Sequence, residues 1–177
     1  MKEELAEIPP VDFLARPFHL LDKEWALLVA GKAKPNPMTV SWGGFGTLWN
    51  KPVVSIYVRP TRFTFCLLET EPDFTLNFLP HSMKSALDYC RSRSGRDVDK
   101  WKEAGIKPVP SKKVGAPRVA GSELAIECKV LASLNITPSR FLDPSIEELY
   151  PKKDYHRLFI GEVRAIFASK RFKASGA

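Results

Sequence analysis

The chain has 177 residues, 44% of them hydrophobic and 27% charged, with a formal net charge of +7. That length suits one domain with a real core, and the balance excludes a disordered or fibrous chain. The longest apolar run, Trp25 to Ala30, is too short to span a bilayer, and the acidic start Met1 to Glu7 lacks the apolar stretch of a secretory signal, so a cytoplasmic protein is expected.

Residues 1–20, with Pro9, Pro10 and Pro17, read as an extended lead-in to a single domain over 21–170. Strand patterns then follow. Lys23 to Gly31 is one. Pro37 to Phe45 is a second, with Met38, Val40 and Trp42 on one face and Thr39, Ser41 and Gly43 on the other. Pro52 to Val58 is a third, rich in β-branched residues, and Asp73 to Leu79 a fourth. Glu123 to Leu134 sends Leu124, Ile126, Cys128 and Val130 one way and Glu123, Glu127 and Lys129 the other; His156 to Ala168 is the last.

Short helices are expected from Thr61 or Arg62 to Thr70, from an N-cap at Ser82 to Tyr89, and from an N-cap at Asp97 to Ala104, stopped by Gly105. Residues 106–121 read as a Pro- and Lys-rich connection, and 137–154 as irregular with a helical turn near Ser145–Leu149. Six strands that do not alternate with long helices point to a closed antiparallel barrel with helical insertions, and closure removes exposed strand edges.

Cys66, Cys90 and Cys128 are odd in number and lack a C-x-x-C pair, so reduced and mostly buried thiols are expected. His19, His81 and His156 have no metal-ligand spacing. Gly43-Gly-Phe-Gly46 is not a dinucleotide loop, because Thr47 to Pro52 reads as a loop and turn; small residues there let a flat group or another chain approach. In Tyr57-Val-Arg-Pro-Thr-Arg-Phe-Thr64 a strand ends and a helix begins among hydroxyls and arginines, which suits either a phosphate seat or a capped surface helix. Around Ser92, Ser94, Gly95 and Lys100 the choice lies between an anion-binding turn and a solvated or nucleic-acid-contacting basic loop. Asn36 to Trp42 offers amide and hydroxyl groups beside an aromatic ring, and equally suits a half-buried strand.

Taken in order, Asn36-Pro-Met-Thr-Val-Ser-Trp-Gly43, Asn50 to Thr64, Phe74 to Pro80, Ser94 to Trp101, Gly115-Ala-Pro117, Glu127 to Val130 and His156 to Val163 resemble the flavin reductase-like family of FMN-binding split barrels, the group that includes flavoredoxin. The resemblance covers roughly residues 20–168. It implies a six-stranded Greek-key split barrel that dimerises and holds FMN near the subunit interface. On that pattern Asn36, Met38, Thr39, Val40, Ser41 and Trp42 line the isoalloxazine. Arg59, Pro60, Thr61, Arg62 and Thr64 take the ribityl and phosphate. Ser94 and Lys100 complete the phosphate or ring-edge contacts, and Asn77 and His156 are further candidates whose alternatives are a structural role or a place in the second subunit's site. Two departures stand out: Arg91 replaces a common Gly after the cysteine, and Trp101 a common Phe.

The expectation is therefore a homodimeric oxidoreductase: an NAD(P)H-dependent flavin reductase, or alternatively a carrier that keeps FMN and relays electrons between proteins. No side chain need act as nucleophile, acid or base, since the flavin carries the electrons. Nucleic-acid binding and a flavin-free scaffold are the rival classes. The resemblance further implies that hydroxyl and cationic groups from the stretch ending the third strand and the stretch around Gly95 converge on a single bound phosphate, with Arg62 and Lys100 on either side of one slot.

Overall fold

The computed structural model describes residues 5–174. Its strands are β1 (Ala6–Ile8), β2 (Ala26–Ala30), β3 (Asn36–Val40), β4 (Gly43–Leu48), β5 (Lys51–Val58), β6 (Asp73–Phe78), β7 (Pro108–Val109), β8 (Arg118–Val119), β9 (Leu124–Asn135) and β10 (Arg157–Ala168). The helices are α1 (Pro17–His19), α2 (Phe63–Thr70), α3 (Lys84–Ser92) and α4 (Lys100–Glu103). Eight strands form one antiparallel sheet in the order β3-β2-β6-β9-β10-β5-β4, with β1 added on β10; β7 and β8 form a separate two-stranded ribbon.

Six strands are expected from the pattern, and two features raise the count to eight. The run from Pro37 to Phe45 is divided at Ser41 and Trp42: β3 pairs with β2 and β4 with β5. The lead-in supplies β1 and is not merely extended; Ile8, Leu20 and Leu21 are buried in the core. The two ends of the sheet, β3 and β4, are consecutive in sequence. Val40 and Gly43 are three Cα steps apart, at most about 11 Å, so the sheet curls until its ends meet and the wall splits where Ser41 and Trp42 cross.

β2 has no alternation because both of its faces are buried. Ala26, Leu28 and Ala30 face the barrel core with Phe74, Leu76, Phe78, Ile126 and Phe159. Leu27 and Val29 face a second core under α3 with Ala86, Leu87 and Cys90. A strand covered on both sides reads as a continuous apolar run.

Polar side chains of β6 and β9 are covered too, beneath residues 107–121, although Lys129 stays exposed. Glu127 is fully buried and accepts hydrogen bonds from the backbone amides of Lys112 and Lys113. Asp73 accepts from the amides of Gly115 and Ala116, and Thr75 donates to the Pro117 carbonyl. Buried polar groups persist where each finds a partner.

The helix starts differ from expectation in detail. Asp99, not Asp97, caps α4, accepting from the Trp101 and Lys102 amides. Ser82 lies in a 3-10 turn before α3 and makes no cap bond. A 3-10 turn at Pro144–Leu149 matches the turn expected there. Trp49 and Asn50, at φ 52° and 57°, form the two-residue hairpin turn between β4 and β5. Cys90 and Cys128 are buried free thiols, whereas Cys66 is exposed. No helix among the described residues is long and apolar enough to cross a membrane.

The register of β10 against β9 slips beside Gly161, whose Cα faces the Phe74 ring; a Cβ there would sit 2.6 Å from Phe74 Cε1 and 2.9 Å from Cys128 Cβ. Gly161→Ala is therefore expected to destabilise the fold by about 1–3 kcal/mol, lowering Tm by roughly 2–4 °C per kcal/mol. Thermal circular dichroism reads this, and an unchanged Tm would mean that Phe74 swings aside freely.

Candidate functional site

At the split in the wall lies a cleft of about 210 Å³. Met38, Thr39, Val40, Ser41 and Trp42 form its floor and Trp25, Tyr57 and His156 its aromatic sides. Arg59, Arg62 and Arg91 line it as well, and among the described residues no carboxylate does. A recess of about 410 Å³, lined by Phe18, Leu21, Ile136 and Tyr150 among others, shares Ser41, Trp42 and Tyr57 with it.

Local sequence explains how the cations reach the cleft. β5 ends at Val58, and Arg59 follows. Pro60 and Thr61 make the turn closed by the Arg62 amide on the Arg59 carbonyl, and α2 starts at Phe63 with no side-chain cap. Arg59 donates to Asp154 Oδ1 at 2.6 Å and to the Leu149 carbonyl at 3.0 Å; the Thr61 hydroxyl donates to Asp154 Oδ2 at 3.3 Å. Burial works against the Asp154 carboxylate, but Arg59 and Thr61 outweigh it and hold its carboxyl below the usual range. Arg62 and Arg91 have no carboxylate partner among the described residues. Arg62 reaches the Arg91 carbonyl, and Arg91 lies 5.3 Å over the Trp25 ring. Trp25 itself sits at φ 62°, a rare value for a large side chain, held by its indole bond to the Asp22 carbonyl.

His156 is buried, with Nδ1 2.9 Å from the Tyr150 hydroxyl and its ring 4.9 Å from that of Trp42. Burial first, then Arg59, push its pKa down to about 4, with Asp154 opposing, so the imidazole is neutral at pH 7.

The two stretches that the sequence reading requires to meet are in contact. Asn36 Nδ2 donates to Thr64 Oγ1 at 2.8 Å, and a Cβ on Gly95 would overlap Asn36 Oδ1 at 1.8 Å. Arg96 donates to the Thr61 carbonyl, and Ser94 Oγ accepts from the Arg96 amide. Lys100 is buried, and its Nζ donates to the Pro37 carbonyl at 3.0 Å and the Cys90 carbonyl at 2.9 Å. Burial, with Arg62 adding, lowers the Lys100 pKa against the pull of Cys90. Arg62 and Lys100 thus bond adjacent carbonyls at the end of α3 and lie on the same side of the molecule.

They do not share a cavity, contrary to the single phosphate slot expected between them: Arg62 lines the cleft and Lys100 does not. Asn36 and Lys100 line a separate pocket of about 410 Å³ together with Gly95 and Phe63. Thr64 is fully buried behind Asn36. Asn77 stands apart from all of this: it is fully buried, its amide nitrogen donates to Leu27 O and Thr75 Oγ1, and its Oδ1 accepts from the Val119 amide. Its role is to fasten β8 to β6, and no atom of it is left for a ligand. The sequence reading lacked Trp25 and Tyr57 as lining residues. Each belongs to a strand-like run whose pattern records burial, not which side faces a cleft.

Residues 23–174 match the flavin reductase-like domain. Flavoredoxin of Desulfovibrio vulgaris (Miyazaki F) superposes with a TM-score of 0.66 at 22% identity, over 83% of this chain and 70% of that one. An FMN-binding protein from Thermus thermophilus, with bound p-hydroxybenzaldehyde, gives 0.62 at 25% identity, over 83% and 72%. An NADH:FAD oxidoreductase from Streptomyces globisporus C-1027 gives 0.61 at 21% identity, over 87% and 86%. A curled antiparallel sheet that splits at Ser41 and Trp42, and a domain match across most of its length, place this chain in the flavin reductase-like family.

Proposed function

We propose that this protein binds FMN in the cleft at the barrel split and acts as an NAD(P)H-dependent flavin reductase. The observation that carries the reading is a cleft lined by three arginines and no carboxylate among the described residues, with Trp25, Trp42 and His156 presenting rings beside the hydroxyls of Thr39 and Ser41. The residues present fit the group. Arg59 is neutralised by Asp154, which leaves Arg62 and Arg91, without a carboxylate partner among the described residues, as two guanidiniums for a phosphate that carries up to two negative charges. A cleft of about 210 Å³ is smaller than most cofactor sites, so the ligand extends into the recess beyond Trp42 and Tyr57.

Bound FMN supplies the hydride- and electron-accepting chemistry. The β3 residues Thr39 and Ser41 and the rings of Trp42 and His156 would hold the flavin ring, and the cations of the cleft would favour an anionic ligand. Lys100 contributes from behind the wall, as a fixed charge that holds β3 to α3. Exposed Phe18 and Trp42, at 90% and 45%, border the recess, and a second copy of the chain is the proposed cover. Sedimentation of the flavin-loaded protein as a monomer would remove the dimer from this reading.

The purified protein is expected to be yellow or to become so on adding FMN. Arg62→Ala is expected to weaken FMN binding about tenfold or more, measured by flavin fluorescence quenching; equal affinity would remove the phosphate assignment. Steady NADH or NADPH oxidation with added FMN supports the reductase. A flavin that survives dialysis and accepts nothing from either nucleotide points instead to the flavoredoxin-like carrier.

A further inference from the structure

We infer that Tyr150 is a positioning residue that fixes His156 in the tautomer presenting Nε2–H to the cleft. The ligand half of this inference rests on the FMN reading above; the tautomer half does not.

The Tyr150 hydroxyl lies 2.9 Å from His156 Nδ1, and both residues are buried. A phenol has one proton to give. Nδ1 is the acceptor that the described residues offer it. If Nδ1 carried the ring proton instead, the phenol proton would lose the one protein acceptor it has among the described residues; an unmade hydrogen bond of a buried group costs about 1–3 kcal/mol. The imidazole proton therefore sits on Nε2.

Nε2 has no protein partner among the described residues. It is also not sealed, because Arg118 Nε is the one buried side-chain nitrogen or oxygen found without a partner among them. His156 lines the cleft next to Trp42, so this N–H opens on the ligand space. Arg59, Arg62 and Asp154 are the charges around the ring, and burial together with the two arginines keeps it uncharged at neutral pH. The result is a neutral donor of fixed direction between cationic walls.

Tyr150 comes from the excursion joining β9 to β10, far from the strands that carry the cleft floor. Arg59 clamps that excursion through Leu149 O and Asp154, and lies 4.8 Å over the Tyr150 ring. The Phe141 ring stacks on Tyr150 with centroids 6.1 Å apart. These packing contacts survive in Tyr150→Phe, which removes only the hydroxyl.

The test uses the full chain with FMN as the probe. Long-range proton–nitrogen NMR of the flavin-free wild type at pH 7 is expected to show His156 protonated on Nε2 alone, and Tyr150→Phe to show a mixture with a raised ring pKa. Tyr150→Phe is expected to weaken FMN binding about threefold to tenfold, and to have no further effect in a His156→Ala background. A wild-type ring protonated on Nδ1, or a Tyr150→Phe loss undiminished in that background, would overturn the inference. Wild-type protein that shows the Nε2 tautomer but leaves FMN fluorescence unquenched would overturn the flavin reading alone.

Discussion

One buried ammonium holds the site's walls together. Lys100 Nζ bridges the Pro37 carbonyl at the head of β3 and the Cys90 carbonyl near the end of α3. A charge withdrawn from water persists only where polar atoms surround it, and here two backbone oxygens do so at fixed positions. The neighbouring Cys90 thiol, pushed up to about 11 by burial, with Lys100 opposing, stays protonated beside it. The next carbonyl along, that of Arg91, takes Arg62 from the start of α2. Two cations on consecutive carbonyls thus bind β3, α2, α3 and α4 into one unit, and the cleft is the space this unit leaves against β5.

The opposite side of the cleft depends on Arg59. Its guanidinium joins the end of β5 to the long excursion between β9 and β10 through Asp154 and Leu149. The same excursion delivers Tyr150 to His156. An arginine bonded to a carboxylate organises structure, whereas Arg62 and Arg91, free of carboxylates among the described residues, supply the field of the cleft. The positive charge of the chain matters by placement: paired cations such as Arg157 with Glu69, or Arg171 with Glu24 and Glu123, cancel locally.

Much of the fold was legible because burial writes itself into alternation. β9 buries Leu124, Ile126 and Cys128 in the barrel as its period of two requires, and β2 betrays its two covered faces by having no polar residue at all. The break at Ser41 and Trp42 was not legible. Alternation continues across it, and nothing local reveals that β3 takes β2 as its neighbour while β4 takes β5. The choice between a structural and a ligand-binding role for Asn77 was not legible for a related reason. Its alternation with Leu76 and Phe78 marks the face opposite the core, and only the fold shows that residues 107–121 cover that face and consume its amide.

By itself the sequence determined a small antiparallel barrel and two basic, hydroxyl-bearing stretches, because residue type and spacing fix strand faces, turns and local charge. Tertiary structure decided which of those charges remain available. Lys100 is turned inward to two carbonyls, Arg59 to a carboxylate, and Arg62 and Arg91 are left lining the cleft with no carboxylate partner among the described residues. The reason is that a side chain's chemistry is local, while the partner that neutralises or frees it arrives from a segment tens of residues away.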